Sequence, residues 1–507
     1  MTRLEGRRRQ SGRPSGGVPQ RPFGQVERRI DWLRILSDDQ VAAIHAAALR
    51  VLEEQGLRVL HPPARALYAQ AGADVQGDTV RLDPALVADR LATVPRSFTL
   101  QARDPAKSLH LGGGHCVYAS VGGPAYVMCN DKGRRDGTFA EMCDYLRLVQ
   151  GLNVIHQEGG GPFEPLDLPA STRHLDIYHA QIRHLDKSWQ TQTLGHARTM
   201  DGIEMAALML STTPEGLRDR PVLLGIINTN SPLQLDVPMA EGLIALAAHG
   251  QVNVITPFTL AGAMAPVTLA GALVLQHAEA MAGIVLTQII RPGVPVMYGG
   301  FTSNVDMRSG APAFGTPEYA KAAQASGQLA RHIGVPFRSS NVTAANEVDA
   351  QAAYESQMAL WGALTGGAHL LEHAAGWMHG GLTASFEKLI LDAEMLQMMD
   401  AWFAPLATTD ADLALDAIRE AGAGGHFFGT AHTMERYEHA FHAPMLSNWD
   451  NYPNWVQRGG IDTRTRANTL WKDLLAQAED PPLDPGIDES LCAYVARRKA
   501  EGGAPMN

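Results

Sequence analysis

The chain has 507 residues, of which 45% are hydrophobic and 19% charged, a composition typical of soluble globular proteins. Its length permits a large buried core and excludes a small binding module. With 42 Lys and Arg against 53 Asp and Glu, the formal net charge of -11 disfavours binding to nucleic acid or to an anionic membrane. The four cysteines lack the paired spacing of a zinc site and are too few for a disulfide scaffold, so we expect a cytoplasmic protein without bound metal.

The N-terminal part of the chain divides into two predicted segments. Residues 1–34 are rich in Arg, Gly and Pro, which predicts a disordered basic arm, with a targeting or nucleic-acid role as the alternative to a solvated tail. Residues 35–150 are predicted to form a cap or lead-in subdomain. It begins with an amphipathic helix over 37–57, for which Ser37 is the expected N-cap, and continues with short strands and a further helix.

From residue 153 onward, short apolar runs rich in Val, Ile and Thr alternate with helical stretches. The predicted strands are 154–158, 188–193, 222–228, 252–258, 295–301, 337–343, 370–373 and 425–428. This alternation predicts an α/β fold, namely a (β/α)8 TIM barrel over 151–435 with a C-terminal helical tail, 436–507, packed on it. A doubly wound open sheet is the alternative, but no nucleotide-binding glycine motif follows any predicted strand.

In such a barrel the chemistry takes place at the carboxyl ends of the strands, so the polar and aromatic residues that close each predicted strand are the candidate site. They are His156, Gln157, Glu158, Gly159, Gly160, Gly161, Gln190, Gln192, Asn228, Thr229, Asn230, Ser231, Tyr298, Gly299, Gly300, Phe301, Asn341, Glu372 and His373, with His426, His432 and Glu435 near the end of the eighth predicted strand. Amide, carboxyl and aromatic groups dominate this set, which favours a small cation or a neutral polar ligand over a phosphate.

Two features of these strand-end residues allow more than one interpretation. The letters His369-Leu-Leu-Glu372-His373 match an inverted zinc-protease motif, but that motif needs a helix and no third ligand is evident, so no metal site is predicted. Glu372 and His373 could also act as a general acid and base, which leaves a lyase or hydrolase as an alternative function. Glu158 either caps the neighbouring backbone or takes part in the chemistry.

Several motifs carry a family resemblance. They are Gly122-Gly-Pro-Ala-Tyr126, the run from Gly300 to Pro312, Gly315-Thr-Pro-Glu318, Asp349 to Glu355 and Leu382 to Glu387. Over about residues 35–475 the chain resembles the trimethylamine methyltransferase family, whose members pass a methyl group from a methylated amine to the Co(I) centre of a separate corrinoid protein. Archaeal members use pyrrolysine near the sixth strand. This chain has the ordinary segment Thr343 to Glu347 there, so it resembles the non-pyrrolysine branch, and the resemblance implies a quaternary amine such as glycine betaine.

The resemblance also implies what the site must supply. A quaternary ammonium group has neither a proton nor a lone pair, so aromatic faces and a carboxylate are the groups that bind it. The expected cage residues are Tyr298, Phe301, Tyr354 and Trp377. The expected catalytic residues are Glu158 or Glu347 as the counter-charge, and His373. Further substrate contacts are expected from Gln157, Gln192, Asn341 and Glu372, with Gln192, Asn341 or His373 donating to a substrate carboxylate.

No tightly bound cofactor is expected in this chain, because the corrinoid (cobalamin) would be supplied by the partner protein. The glycines expected to let the backbone approach that flat macrocycle are Gly159, Gly160, Gly161, Gly299 and Gly300. The implied partners are the cognate corrinoid protein and a small methylated amine, and a homo-oligomer is left open. A barrel that binds a small amine without catalysis is the alternative from another functional class.

Overall fold

The computed structural model describes residues 18–505. Residues 1–17 of the predicted basic arm lie outside the described residues. For residues 18–34 the prediction of disorder is wrong, because this segment packs on the protein and Arg28 is buried. The Arg28 guanidinium donates to the backbone carbonyls of Gly114, His115, Leu364 and Ala368. Composition treats arginine as a solvated cation, but its five donors can be satisfied by buried carbonyl groups that only the fold brings together.

The helices are α1 (Asp38–Glu54), α2 (Pro62–Gln70), α3 (Pro84–Leu91), α4 (Phe139–Gly151), α5 (Arg173–His184), α6 (His196–Met209), α7 (Val237–Ala248), α8 (Leu269–Ile290), α9 (Pro317–His332), α10 (Ala350–Thr365), α11 (Phe386–Phe403), α12 (Asp410–Leu413), α13 (Leu415–Ala421), α14 (Ala431–Arg436), α15 (Tyr452–Gln457), α16 (Thr463–Ala476) and α17 (Pro485–Ala500). As predicted, Ser37 caps α1, and its side chain accepts the N–H of Gln40 in a capping box.

The strands are β1 (Leu57–Val59), β2 (Asp74–Gln76), β3 (Thr79–Arg81), β4 (Phe98–Leu100), β5 (Leu109–Leu111), β6 (Val117–Ser120), β7 (Tyr126–Cys129), β8 (Gly133–Asp136), β9 (Leu224–Ile227), β10 (Gln234–Leu235), β11 (Val252–Ile255), β12 (Phe258–Ala261), β13 (Val296–Gly299), β14 (Phe301–Val305), β15 (Pro312–Ala313), β16 (Phe337–Ser340), β17 (Leu370–Ala375), β18 (Trp377–Met378) and β19 (Thr383–Ser385).

The central feature is a six-stranded parallel sheet in the order β6-β17-β16-β13-β11-β9. Its register pairs Arg338 of β16 with Leu370 of β17. The two edge strands contribute to the same small cluster of buried side chains, which contains Val117 of β6 and Leu224 of β9. The sheet is therefore curled. Helices alternate with most of these strands along the chain, so the fold is α/β, as predicted.

Single parallel bridges lie between the two edges of this sheet. Ala119 of β6 bridges to Gln157, Gln157 bridges to Ser188, and Gln190 bridges to Leu224 of β9. The strands predicted at 154–158 and 188–193 are therefore present as isolated bridges and not as extended ladders. The chain at these positions nevertheless lies alongside the edges of the sheet.

The prediction of a strand at 425–428 is wrong. These residues form no strand, and Phe428 is 85% exposed. The place beside β17 is taken by β6, where the Val117 N–H donates to the His369 carbonyl at 2.9 Å and the Val121 N–H donates to the Ala375 carbonyl at 2.9 Å. Strand pairing across more than 200 residues is a tertiary choice, which a local apolar pattern does not contain.

The amino-terminal end of the curled sheet is filled by side chains of a short hairpin. Strands β4 and β5 pair antiparallel, and Leu100, Leu109 and Leu111 join the cluster of buried side chains inside the sheet. Phe23 from the N-terminal segment packs against the same cluster. Because apolar side chains fill this end, the polar cavity lies at the carboxyl ends of the strands.

Helix α8 is 22 residues long and apolar enough to cross a membrane by length and composition, but most of it is buried in this protein. The lead-in helices α1, α2 and α3 pack against it. The Tyr68 hydroxyl of α2 donates to the Ala282 carbonyl of α8 at 2.9 Å. Its apolar faces are thus covered by protein, as in a core helix.

The last helix, α17, packs on α5 and α6. Asp201 of α6 is the centre of the contact, because it accepts from the Tyr494 hydroxyl at 2.7 Å and from Arg498 Nε at 2.7 Å. His174 Nε2 of α5 lies 2.8 Å from the same carboxylate. This buried polar cluster fixes the tail to the helices outside the sheet.

Candidate functional site

A cavity of about 620 Å³ opens at the carboxyl ends of the parallel strands. The predicted strand-end residues that line it include Gly159, Gly160, Gln190, Gln192, Asn228, Phe301, Glu372 and His373. Other lining residues include Gly122, Gly123, Ile226, Met239, Phe258, Met264 and Arg338. The cavity lies where an α/β fold of this kind places its chemistry.

Glu372 is the acidic group buried at the base of this site. Both of its oxygens accept from Gln190 Nε2, at 3.0 and 2.9 Å, and the same amide lies 3.2 Å from the Gln157 side-chain oxygen. Burial raises the pKa of Glu372 to about 7, although Arg338 and Gln190 favour its charged form. The Gln157–Gln190–Glu372 network therefore holds a carboxyl group whose charge changes near neutral pH.

Arg338 is a residue of the cavity that the sequence analysis did not select. It lies on β16 and is 2% exposed, and its guanidinium carbon is 5.2 Å from the centre of the Phe301 ring. Its Nε and Nη1 atoms have no hydrogen-bond partner among the described residues. A signal was present in the sequence, because an arginine inside the predicted strand 337–343 is a rare buried cation.

His373 has an unusual backbone at the cavity wall. Its φ is +53°, a left-handed conformation rare for residues other than glycine, and the register of β17 against β6 shifts between Leu371 and Ala375. The imidazole stacks on Trp377 with ring centres 5.3 Å apart and 10° between the planes. Burial and the nearby Arg338 charge hold the pKa of His373 well below its usual value, which favours the neutral form of the ring.

Aromatic rings form one wall of the site. The Phe258 and Phe301 rings both line the cavity, and their centres are 5.1 Å apart. Phe301 also lies 6.2 Å from Trp377, which is buried behind the cavity surface. Of the four expected cage residues, the structure therefore places Phe301 on the cavity and Trp377 directly behind it. Phe258, at the end of a predicted strand, is a further aromatic residue that the sequence analysis missed.

Glu158 is buried, but it is not part of the cavity lining. Its carboxylate accepts the backbone N–H groups of Gly160 at 2.9 Å and Gly161 at 2.7 Å, and it also accepts from Gln181. Burial raises its pKa to about 7, against the effect of these donors. In this structure Glu158 orders its own glycine loop, which is the capping role that the sequence analysis weighed against a chemical one.

Several of the glycines predicted to face the corrinoid are explained by close packing in this chain. A Cβ on Gly122 would lie 1.8 Å from the Gly159 carbonyl oxygen, so the loops after β6 and after Gln157 approach too closely for a side chain. Similar clashes would occur between Gly299 and Thr256, at 2.2 Å, and between Gly300 and Ser326, at 2.8 Å. Gly161, Gly299 and Gly300 do not line the cavity.

Four other predicted residues lie away from the cavity. Tyr298 faces α8, where Gln276 donates to its hydroxyl at 3.0 Å. Asn341 is buried and donates to the Ala374 carbonyl at 2.9 Å. Tyr354 on α10 is 63% exposed, and the Glu347 side chain is 70% exposed, 3.5 Å from Arg464. Strand ends and loops read from sequence do not show which side of the sheet a side chain faces.

The residues that match the inverted zinc-protease motif, His369 to His373, do not form the helix that the motif requires. The segment is the strand β17 and its flanking residue, as expected, and not a helix. His369 precedes the strand, and its Nδ1 accepts the Phe337 N–H at 2.9 Å, while Glu372 and His373 face the cavity at the other end. Burial lowers the pKa of His369 to about 3.

The sequence model of the trimethylamine methyltransferase family matches residues 3–503. The chain belongs to this family. A relative named glycine betaine methyltransferase, from Desulfitobacterium hafniense (strain Y51), is 36% identical over 470 residues, which cover 92% of this chain and 98% of the relative. A relative named trimethylamine methyltransferase, from Methanosarcina barkeri (strain Fusaro / DSM 804), is 27% identical over 479 residues, 91% of this chain and 94% of the relative.

Among solved structures, the monomethylamine methyltransferase of Methanosarcina barkeri is similar in fold. The TM-score is 0.51 at 8% sequence identity, and the match covers 89% of this chain and 90% of that chain. The family resemblance inferred from the motifs is thereby confirmed, and the protein is a methyltransferase. The cavity at the carboxyl ends of the strands is its candidate active site.

Proposed function

We propose that this methyltransferase moves a methyl group from a quaternary amine of the glycine betaine class to the Co(I) centre of a corrinoid carried by a partner protein. The observation that carries the proposal is that one cavity joins the buried carboxyl group of Glu372 to the rings of Phe258 and Phe301. The 36% identity to a glycine betaine methyltransferase, across almost its whole length, supports the substrate class.

The groups in the cavity suit a permanent cation. A quaternary ammonium group cannot donate or accept a hydrogen bond through nitrogen, so it is bound by opposite charge and by the negative faces of aromatic rings. The ionised form of Glu372 supplies the charge, and Phe258 and Phe301 supply ring surface on the same cavity. Each such cation–π contact contributes about 0.5 to 2 kcal/mol.

The transfer itself needs no proton movement from the protein. The bond between the methyl carbon and nitrogen breaks, and its electron pair stays on nitrogen to give a neutral tertiary amine. Both electrons of the new carbon–cobalt bond come from the Co(I) of the acceptor. The protein's contribution is to align nitrogen, methyl group and acceptor in a line and to exclude water from the cavity. A neutral His373 and a Gln190-bound Glu372 suit this role, because neither has to act as a base.

The test is a methyl-transfer assay with free cob(I)alamin as the acceptor. With the protein and glycine betaine present, we expect loss of the Co(I) absorbance, formation of methylcobalamin, and one dimethylglycine for each methyl group transferred. Tyr354→Ala, on an exposed residue of α10, is the matched control for an aromatic deletion and should transfer like wild type, whereas Phe301→Ala should not. Binding of glycine betaine without transfer would favour a non-catalytic amine-binding protein. Dimethylglycine formed with methanol, and without methylcobalamin, would favour a hydrolase.

We further propose that the curled sheet closes into a (β/α)8 barrel. The bridges at Gln157, Ser188 and Gln190 supply two positions between β6 and β9, which together with the six strands make eight. The barrel would then begin at β6 and not at residue 151. A crystal structure should show hydrogen-bonded neighbours at every position around the ring, and a gap between residue 190 and β9 would contradict closure.

A further inference from the structure

We infer that Arg338 is the group that binds a carboxylate in the cavity, so that the substrate is a methylated amine carrying its own carboxylate. This inference rests on the proposed function, since it specifies which quaternary amines the same cavity accepts. It replaces Gln192, Asn341 and His373 as the expected carboxylate donors with a residue that carries a full positive charge.

The other buried Lys and Arg side chains among the described residues all have hydrogen-bond acceptors. Arg28 donates to four carbonyls. Lys187 Nζ donates to the carbonyls of Val149, Leu152 and Ile155 at 2.7, 2.9 and 2.7 Å. Lys388 Nζ pairs with the Asp392 carboxylate and donates to the Ser356 hydroxyl at 2.8 Å. For each of these three buried cations, the fold supplies acceptors to the charged group.

Arg338 departs from this pattern. It is as buried as Lys187 and Lys388, yet its Nε and Nη1 atoms have no partner within the described chain, and no ion pair joins it to an acidic residue there. Leaving a buried charged donor unsatisfied costs at least about 1 to 3 kcal/mol. Arginine does not escape the cost by losing its proton in a protein. An anion that enters the cavity from outside would satisfy it.

Glu372 is not that anion. Its oxygens accept from Gln190, and it lies beyond ion-pair distance of Arg338, although it is near enough for the two charges to affect each other. Both residues line the same cavity. A positive group and a separate carboxyl group in one cavity match a zwitterion, whose carboxylate faces Arg338 and whose ammonium group faces Glu372.

A carboxylate is the anion that the geometry suits. The planar guanidinium presents parallel N–H donors that match two carboxylate oxygens, and such charge-assisted pairs are stronger than neutral hydrogen bonds. The guanidinium carbon lies over the Phe301 ring, 5.2 Å from its centre. A quaternary amine without a carboxylate would leave Arg338 unpaired and bring a second cation next to it. Choline and tetramethylammonium should therefore bind more weakly than glycine betaine.

The experiment is isothermal titration calorimetry of the whole protein with glycine betaine, choline and tetramethylammonium, with no methyl acceptor present. We expect Arg338→Gln to weaken glycine betaine binding by on the order of 100-fold, while choline and tetramethylammonium bind as well as before or better. Arg338→Lys should fall between, because it keeps the charge but loses the paired donors. Arg291→Gln, at an arginine paired with an exposed Asp219, is the matched surface control and should bind all three ligands like wild type.

If Arg338→Gln does not fold, wild-type protein still decides the question. Glycine betaine methyl ester keeps the quaternary ammonium but has no charged carboxylate, and it should bind on the order of 100-fold more weakly than glycine betaine. Equal binding of the ester, or an unchanged affinity of Arg338→Gln for glycine betaine, would overturn the inference.

These outcomes are separate from the proposed function, because a protein that binds glycine betaine through Arg338 but transfers no methyl group contradicts only the methyl transfer. A protein that transfers methyl groups equally well from choline contradicts only the role of Arg338.

Discussion

Replacing Glu372 by Gln should remove a pH dependence from the free energy of unfolding. Burial raises the pKa of Glu372 from 4.5 to about 7, so the folded protein holds this proton more tightly than the unfolded chain. The resulting stabilisation is fully present below pH 4.5 and is lost as the pH rises through about 7. The difference between the two pKa values corresponds to about 3 kcal/mol.

The assay is chemical denaturation of wild type and Glu372→Gln at a series of pH values between 5 and 9. Because glutamine stays neutral, the variant should gain about 2 to 3 kcal/mol relative to wild type across this range. Glu158, which has a similarly raised pKa, is present in both proteins and largely cancels in the difference. Glu347→Gln, at a side chain that is 70% exposed, is the control for the same chemical change on the surface.

A stability difference that stays flat from pH 5 to 9 would refute the reasoning, since it would mean that Glu372 is ionised in the folded protein throughout that range. That outcome would mean that the charge of Arg338 and the Gln190 hydrogen bonds outweigh burial at Glu372. The carboxyl group would then carry its charge at all pH values of the assay, and its binding to the ammonium group would not depend on pH in this range.

Three further predictions concern the same region. The affinity for tetramethylammonium, measured by calorimetry, should rise as the pH increases through about 7, because Glu372 gains its charge there, and this rise should be absent in Glu372→Gln. At pH 5, where the Glu158 carboxyl group is protonated, Glu158→Gln should lower the free energy of unfolding by about 1 to 3 kcal/mol, since the amide offers one acceptor oxygen to the two N–H groups of Gly160 and Gly161, and it should leave tetramethylammonium affinity unchanged. Phe301→Ala should weaken tetramethylammonium binding by about 0.5 to 2 kcal/mol, and an unchanged affinity would remove this ring from the cation site.

The sequence by itself determined the class of the fold and the family. Apolar runs at 222–228, 252–258, 295–301, 337–343 and 370–373 each coincide with a strand of the parallel sheet in whole or in part, because the alternation of short strands with helices is a local pattern. The Ser37 cap was predictable for the same reason, since a helix N-terminus is specified by its own few residues. Among site residues, Phe301, Glu372 and His373 follow from their place at strand ends.

Only the tertiary structure decided which groups meet at the site. The choice of β6 over 425–428 as the neighbour of β17 depends on hydrogen bonds between distant segments, such as Val117 to His369. Tyr298 is in register with Phe337, the residue before Arg338, and adjacent positions of a strand point to opposite sides of the sheet. Tyr298 therefore faces α8, while Arg338 faces the cavity. Whether a buried charge has a partner is likewise a property of the assembled fold. Both Arg28 and Arg338 are arginines in the sequence. The packed chain supplies carbonyl groups to Arg28 and leaves Arg338 open to the cavity.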